Sequence, residues 1–133
     1  MRTSPRSKCP CFSGKAYGAC CRPYHRGEAL PEPEPLMRSR YAAYALGKAR
    51  YILETSGEGR SVDDPTWIEE VRRFSEGTRF TGLEILSVEP GDPVAWVTFR
   101  AHLEAAGQDV SFTERSRFER TERWRYVAGE RVG

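Results

Sequence analysis

Val94-Ala95-Trp96-Val97-Thr98-Phe99-Arg100-Ala101-His102-Leu103 alternates in character with a period of two. Successive strand residues point to opposite faces, so this run predicts a half-buried β-strand. The same period extends over 79–88, 109–119 and 123–127. Pro-Gly-Asp-Pro at 90–93, Ala-Ala-Gly-Gln at 105–108 and Arg-Thr-Glu at 120–122 supply the turns between them. Such short connections predict an antiparallel meander.

Upstream, the period is helical. Residues 36–46 are good helix formers with Gly47 as the stop, and Met37, Tyr41 and Tyr44 share one face. A second helix is expected over 48–54 and a loop over 61–64. Asp64 then caps a third helix, with Pro65 in its first turn and Gly77 at its end. Its buried stripe is Trp67, Ile68, Val71 and Phe74. Helices followed by a meander indicate an α+β fold with about three helices against an antiparallel sheet.

In the register those turns imply, one sheet face carries Leu83, Ile85, Ala95, Val97, Phe99, Ala101, Leu103, Val110, Phe112, Phe118, Trp124 and Tyr126. It is apolar except for Ser87, Glu114 and Ser116. The opposite face carries Phe80, Glu84, Leu86, Trp96, Thr98, Arg100, His102, Thr113, Arg115 and Arg117. On it, Trp96 is expected opposite Arg117 in a cation–π contact.

The chain has 133 residues, 38 % of them hydrophobic and 11 % aromatic, which supports one packed domain and argues against wholesale disorder. No apolar run approaches the roughly 18–20 residues of a membrane span. Arg2, Arg6 and Lys8 are not followed by an apolar stretch, so no secretory signal is visible and a cytoplasmic address is expected. The formal charge of +2 is unevenly spread. Residues 1–28 hold Arg2, Arg6, Lys8, Lys15, Arg22 and Arg26 against Glu28 alone, and the acidic excess lies downstream.

All four cysteines, Cys9, Cys11, Cys20 and Cys21, lie in that basic head. Disulfides need an oxidising compartment, and a bridge between adjacent cysteines is strained. Four converging thiolates suit tetrahedral Zn²⁺, with Gly14 and Gly18 allowing the turns; an iron–sulfur cluster is the chemical rival. Four thiolates around one Zn²⁺ contribute two negative charges, which offset much of the head's basicity and weaken an argument for nucleic acid.

Cys9-Pro10-Cys11-Phe12-Ser13-Gly14-Lys15, followed by Tyr17 and by Cys20-Cys21, resembles the SEC-C motif, the zinc module named for the C-terminus of the SecA translocation ATPase. The resemblance implies Zn²⁺ on Cys9, Cys11, Cys20 and Cys21. Where that family commonly has Gly after its second Cys, this chain has Phe12. Leu36-Met37-Arg38-Ser39-Arg40-Tyr41, then Ala43-Tyr44, Gly47 and Tyr51, and later Glu114, Ser116, Phe118, Trp124, Tyr126 and Gly129, resemble the YchJ-like family of uncharacterised bacterial proteins. That resemblance implies an NTF2-like cone, a curved antiparallel sheet wrapped by helices around an internal pocket. Family members commonly carry Trp-His after the position of Thr55, where this chain has Ser56-Gly57. The organisation read from these pieces is a zinc-binding head over 1–28, a Pro/Glu connector over 29–35 built on Pro31, Pro33 and Pro35, and an NTF2-like body over 36–133.

The pocket residues expected of such a cone are Arg38, Arg40, Tyr41, Tyr44, Glu114, Ser116, Trp124 and Tyr126. Glu114 is the candidate general acid or base, since an inward carboxylate is costly unless paired. Arg38 or Arg40 is its expected partner, with Tyr41, Tyr44 or Tyr126 as hydrogen-bond donors. The competing reading makes Glu114 a structural anchor between sheet and helix. His25 and His102 are expected at the surface. No Ser-His-Asp set or phosphate-cradling loop can be assembled. Three functions follow. The first is a binding or adaptor protein whose zinc knuckle docks a protein partner, by analogy with the SecA module and its chaperone, while the cone is scaffold or ligand pocket. The second is a pocket enzyme of isomerase or hydrolase type using Glu114, and the third an RNA- or ribosome-associated protein acting through the basic N-terminal head.

Overall fold

The computed structural model describes residues 4–57 and 61–133. Four helices precede the sheet: α1 (Arg22–His25), α2 (Pro33–Leu46), α3 (Ala49–Glu54) and α4 (Pro65–Glu76). The strands are β1 (Arg79–Glu89), β2 (Val94–Ala105), β3 (Gln108–Asp109), β4 (Phe112–Arg120) and β5 (Trp124–Arg131). All pairings are antiparallel in the order β1-β2-β4-β5, with the two-residue β3 paired to β2.

Helix α2 starts three residues earlier than its apolar pattern suggests. Proline at the first helical position has no N–H to lose, so Pro33 and Pro35 open the helix and only the part before Pro33 remains a connector. The helix ends at Gly47 in the left-handed conformation, φ 72°, with Gly47 N–H and Lys48 N–H capping Tyr44 and Ala43 carbonyls. Helix α4 begins as expected, with Asp64 Oδ1 accepting from Thr66 N–H at 2.9 Å and Trp67 N–H at 3.2 Å. Of its expected stripe, Val71 is buried, Trp67 and Ile68 are half-buried and Phe74 is exposed. The one-turn α1 begins at Arg22-Pro23, too short to leave a periodic signal.

Helix α2 is enclosed by neighbours. Leu36, Met37, Tyr41 and Ala42 join the sheet residues Leu83, Ala95, Val97, Phe99, Ala101, Leu103, Phe118 and Trp124 in one apolar cluster. Ala43 joins Ile52, Leu53 and Val71 in a second, between α2, α3 and α4. Tyr41 fastens the helix to the sheet: its hydroxyl donates to the Gly82 carbonyl at 2.8 Å and accepts from Gly82 N–H at 3.2 Å. Tyr51 reaches from α3 to Ser39 Oγ at 2.7 Å.

The inner face of the sheet is the expected one with three exceptions, each caused by an irregularity of register. Phe80 pairs with Leu103, then an extra residue brings Gly82 opposite His102, so Phe80 turns inward and meets Tyr41 edge-on at 5.5 Å. A second shift after Ile85 sets Ser87 opposite Thr98 on the outer face. Val110 lies in the break between β3 and β4 and is exposed; there Ser111 Oγ accepts from Leu103 N–H at 2.9 Å. On the outer face Trp96 stands opposite Arg117 in register, but the guanidinium over its ring is that of Arg115, 3.8 Å from the centroid.

Burial raises the phenol groups of Tyr41 and Tyr51 to about 12. The unfolded chain ionises these groups near 10, so the stability they carry is complete below pH 10 and is lost as pH rises toward 12. Urea midpoints measured from pH 8.5 to 11.5 should fall steeply above pH 10, and Tyr51→Phe should flatten that fall.

Candidate functional site

The cysteines are brought together by a short hairpin. Lys8 and Ala16 form an isolated antiparallel bridge, Cys9 N–H donates to the Lys15 carbonyl at 2.8 Å and Phe12 N–H to the Cys9 carbonyl at 3.1 Å. A 3₁₀ turn, Tyr17–Ala19, then delivers Cys20 and Cys21. Phe12 sits at φ 62°, a left-handed conformation that costs a non-glycine residue about 1–2 kcal/mol. That requirement is the physical reason glycine suits the position. The Phe12 ring is half-exposed and meets Tyr41 edge-on at 6.2 Å.

The four Sγ atoms lie within 4.8 Å of one another, with Cys11–Cys20 at 3.6 Å and Cys20–Cys21 at 3.9 Å. A tetrahedron with Zn–S bonds of about 2.3 Å has edges of about 3.8 Å, so the donor set fits such an ion. None of the four is in a disulfide. Hydrogen bonds from Cys21 and Cys9 pull Cys11 down toward the thiolate, and donation to Cys11 pushes Cys21 up and Cys9 up to about 12. A divalent cation displacing those protons would relieve the competition. Ser13 Oγ lies 3.1 Å from Cys20 Sγ, within reach to orient it.

The head is riveted to the body. Cys9, Cys11, Tyr17 and Cys21 belong to the same apolar cluster as Leu36, Met37 and Tyr41. His25, expected at the surface, bridges instead: Nε2 lies 2.8 Å from the Ser39 carbonyl and Nδ1 2.7 Å from the Tyr17 hydroxyl. A carbonyl only accepts, so Nε2 carries the proton and Nδ1 accepts from Tyr17. Desolvation lowers the imidazole pKa, in keeping with this neutral form. Its ring also packs on Tyr51 at 4.7 Å. His102 is on the outer face, paired with Glu84 at 3.1 Å.

A cavity of about 350 Å³ lies between the sheet, α2 and α4. Of the expected pocket residues, Arg40, Tyr41, Tyr44, Glu114, Ser116 and Tyr126 line it. Arg38 and Trp124 do not. Arg38 points to the head, donating to the Cys11 carbonyl and to Glu34 Oε2, both at 3.3 Å, and Trp124 is buried in the core. Glu114 accepts from Ser116 Oγ at 2.6 Å and Tyr126 hydroxyl at 3.3 Å. Its basic neighbour is neither Arg38 nor Arg40 but Arg131 of β5, with Nε 4.0 Å from Oε1. Strand β5 runs on past the expected end at residue 127, and this extension brings Arg131 to the carboxylate. Arg131 also stacks on Phe112 at 3.7 Å. Burial foremost raises the phenol of Tyr126, keeping it a donor to Glu114.

A family profile described as the middle NTF2-like domain of YchJ matches residues 32–129. The chain belongs to the YchJ-like family. A UPF0225 protein of Deinococcus radiodurans is 42 % identical over 126 residues, covering 92 % of this chain and 88 % of its own. Another, from Streptomyces coelicolor, is 38 % identical over 95 % of this chain and 97 % of its own. The solution structure of a SEC-C motif containing protein from Rhodopseudomonas palustris superposes with a TM-score of 0.79 at 36 % identity, covering 94 % of this chain and 98 % of that one. A SEC-C motif containing protein from Psychrobacter arcticus gives a TM-score of 0.75 at 26 % identity, over 96 % and 81 %. The NTF2-like fold is thus that of the matched family, and both solved structures are described as SEC-C motif containing proteins.

Gly129, one of the residues that carry the resemblance, has its reason in this pocket. It stands opposite Ser116 on β5, and a Cβ there would run into the Glu114 carboxylate. Gly129→Ala should therefore swing Glu114 out of its hydrogen bond with the fully buried Ser116. The expected cost is about 1–3 kcal/mol for the stranded hydroxyl, read by urea denaturation, with shifted Glu114 side-chain carboxyl resonances in NMR.

Proposed function

We propose that the protein is a zinc-stapled binding protein: Cys9, Cys11, Cys20 and Cys21 hold one Zn²⁺ that fixes the head, and the cone receives a small ligand. The observation that carries the first half is the convergence of four thiols in a core shared with α2. Three of the four sulfur ligands are buried against the body, which supports a structural role for the ion more than a freely swinging docking module. A reducing cytoplasm would keep these thiols available to a metal. The cavity supports the second half. It offers aromatic walls from Tyr44, Phe74, Phe80 and Phe99, and a polar end at Glu114, the mixture expected of a ligand site.

Purified protein should contain one equivalent of zinc by elemental analysis, and Cys20→Ser should lose most of it. The melting temperature of that variant should fall by about 10 °C or more, each kcal/mol being worth roughly 3–4 °C in a chain of this size. Metal-free, reduced protein melting at the wild-type temperature would overturn the zinc half of the proposal.

A further inference from the structure

Arg40 is 6 % exposed and lines the cavity. Its hydrogen bonds all run through Nη1 to neutral oxygens: the Ile52 carbonyl at 3.1 Å, Thr55 Oγ1 at 2.8 Å and Ser56 Oγ at 3.0 Å. Its guanidinium lies over the Tyr126 ring, 4.5 Å from the centroid. Among the described residues it makes no ion pair. By contrast, Arg38 pairs with Glu34 and Arg131 lies beside Glu114.

An interior cation without a counter-ion is expensive, on the order of several kcal/mol, and hydrogen bonds to neutral acceptors offset only part of that. The negative groups at the cavity are committed. Glu114 is held by Ser116 and Tyr126 and flanked by Arg131, and Glu70 on α4 has a partner of its own. The polar end of the cavity therefore keeps a positive charge unbalanced. Nη1 is saturated by protein, whereas Nε and Nη2 form the side of the guanidinium fork that matches a carboxylate.

We infer that the cone binds a small organic carboxylate, its anion paired with Arg40 and its apolar body between the aromatic walls. This rests on the ligand-pocket reading above and adds the class of ligand. The walls are Tyr44, Phe74 and Phe80, which meet edge-on at 5.4 Å and 5.8 Å, with Phe99 on the sheet. A cavity of about 350 Å³ suits a single ring or a short alkyl chain. The assembly that creates the site is the close of α3 on β5. Tyr126 N–H donates to the Thr55 carbonyl at 2.9 Å and Gly57 N–H to the Tyr126 carbonyl at 2.8 Å, so Thr55, Ser56 and Tyr126 surround Arg40 together.

The test is calorimetric titration of the zinc-loaded, full-length protein with phenylacetate, phenylacetamide and 2-phenylethylamine, repeated with hexanoate, hexanamide and hexylamine. In at least one series the acid should bind at least tenfold more tightly than its amide and its amine. Arg40→Lys, which keeps a charge but not the fork, should weaken the acid and leave the amide unaffected. Because Arg40 also ties α2 to α3, the acid–amide ratio in the unaltered protein is the primary reading and needs no variant. Amides binding as tightly as acids in both series, or a preference for the amines, overturns the inference and leaves the pocket reading standing. No binding by any of the six overturns both.

Discussion

Four thiols are packed into the apolar cluster at the side of helix α2, and this is the constraint around which the chain is organised. Sulfurs that close cannot all ionise without a cation, and cannot all stay protonated without competing for the same hydrogen bonds. A divalent ion held by the four sulfurs would resolve both problems inside the core. Arg38 on the Cys11 carbonyl, and His25 between Tyr17 and the Ser39 carbonyl, transmit that order to α2. Helix α2 in turn carries Arg40, Tyr41 and Tyr44 to the cavity. The cysteine cluster and the pocket are therefore two sides of one helix.

Most of the fold is legible in the sequence because its signals are local. The period-two run around Val97 and Phe99, the Asp64 cap and the Gly47 stop each specify their element with no help from tertiary structure. What sequence reading misses depends on packing. Phe80 and Ser87 change faces at two register shifts in β1, and nothing in the alternation of that strand marks where an extra residue will be absorbed. The first turn of α2 reads as an extended connector because Pro33 and Pro35 carry two opposite meanings, stiff linker or helix opener, and only the neighbouring chain decides between them.

The candidate site divides in the same way. The cysteine cluster is readable from spacing alone, since four thiols within so short a segment have few ways to be satisfied. The pocket is read only in part. Glu114 and Ser116 follow from alternation along β4, and Tyr126 from β5. The partner of Glu114 does not follow, because it depends on how far β5 continues, and Arg131 lies past the last apolar alternation. His25 belongs to the same class. Its burial is set by α1, a single turn whose position depends on Cys21 being held in place. Phe12 is the opposite case: it departs from the SEC-C pattern at a position whose left-handed backbone favours glycine.

X-ray absorption at the zinc edge on the purified protein tests the central claim most directly. Four sulfur scatterers at about 2.3 Å, with no nitrogen or oxygen in the first coordination sphere, are predicted. A shell containing light-atom ligands, or a folded protein with no metal and four reduced thiols, would contradict the account.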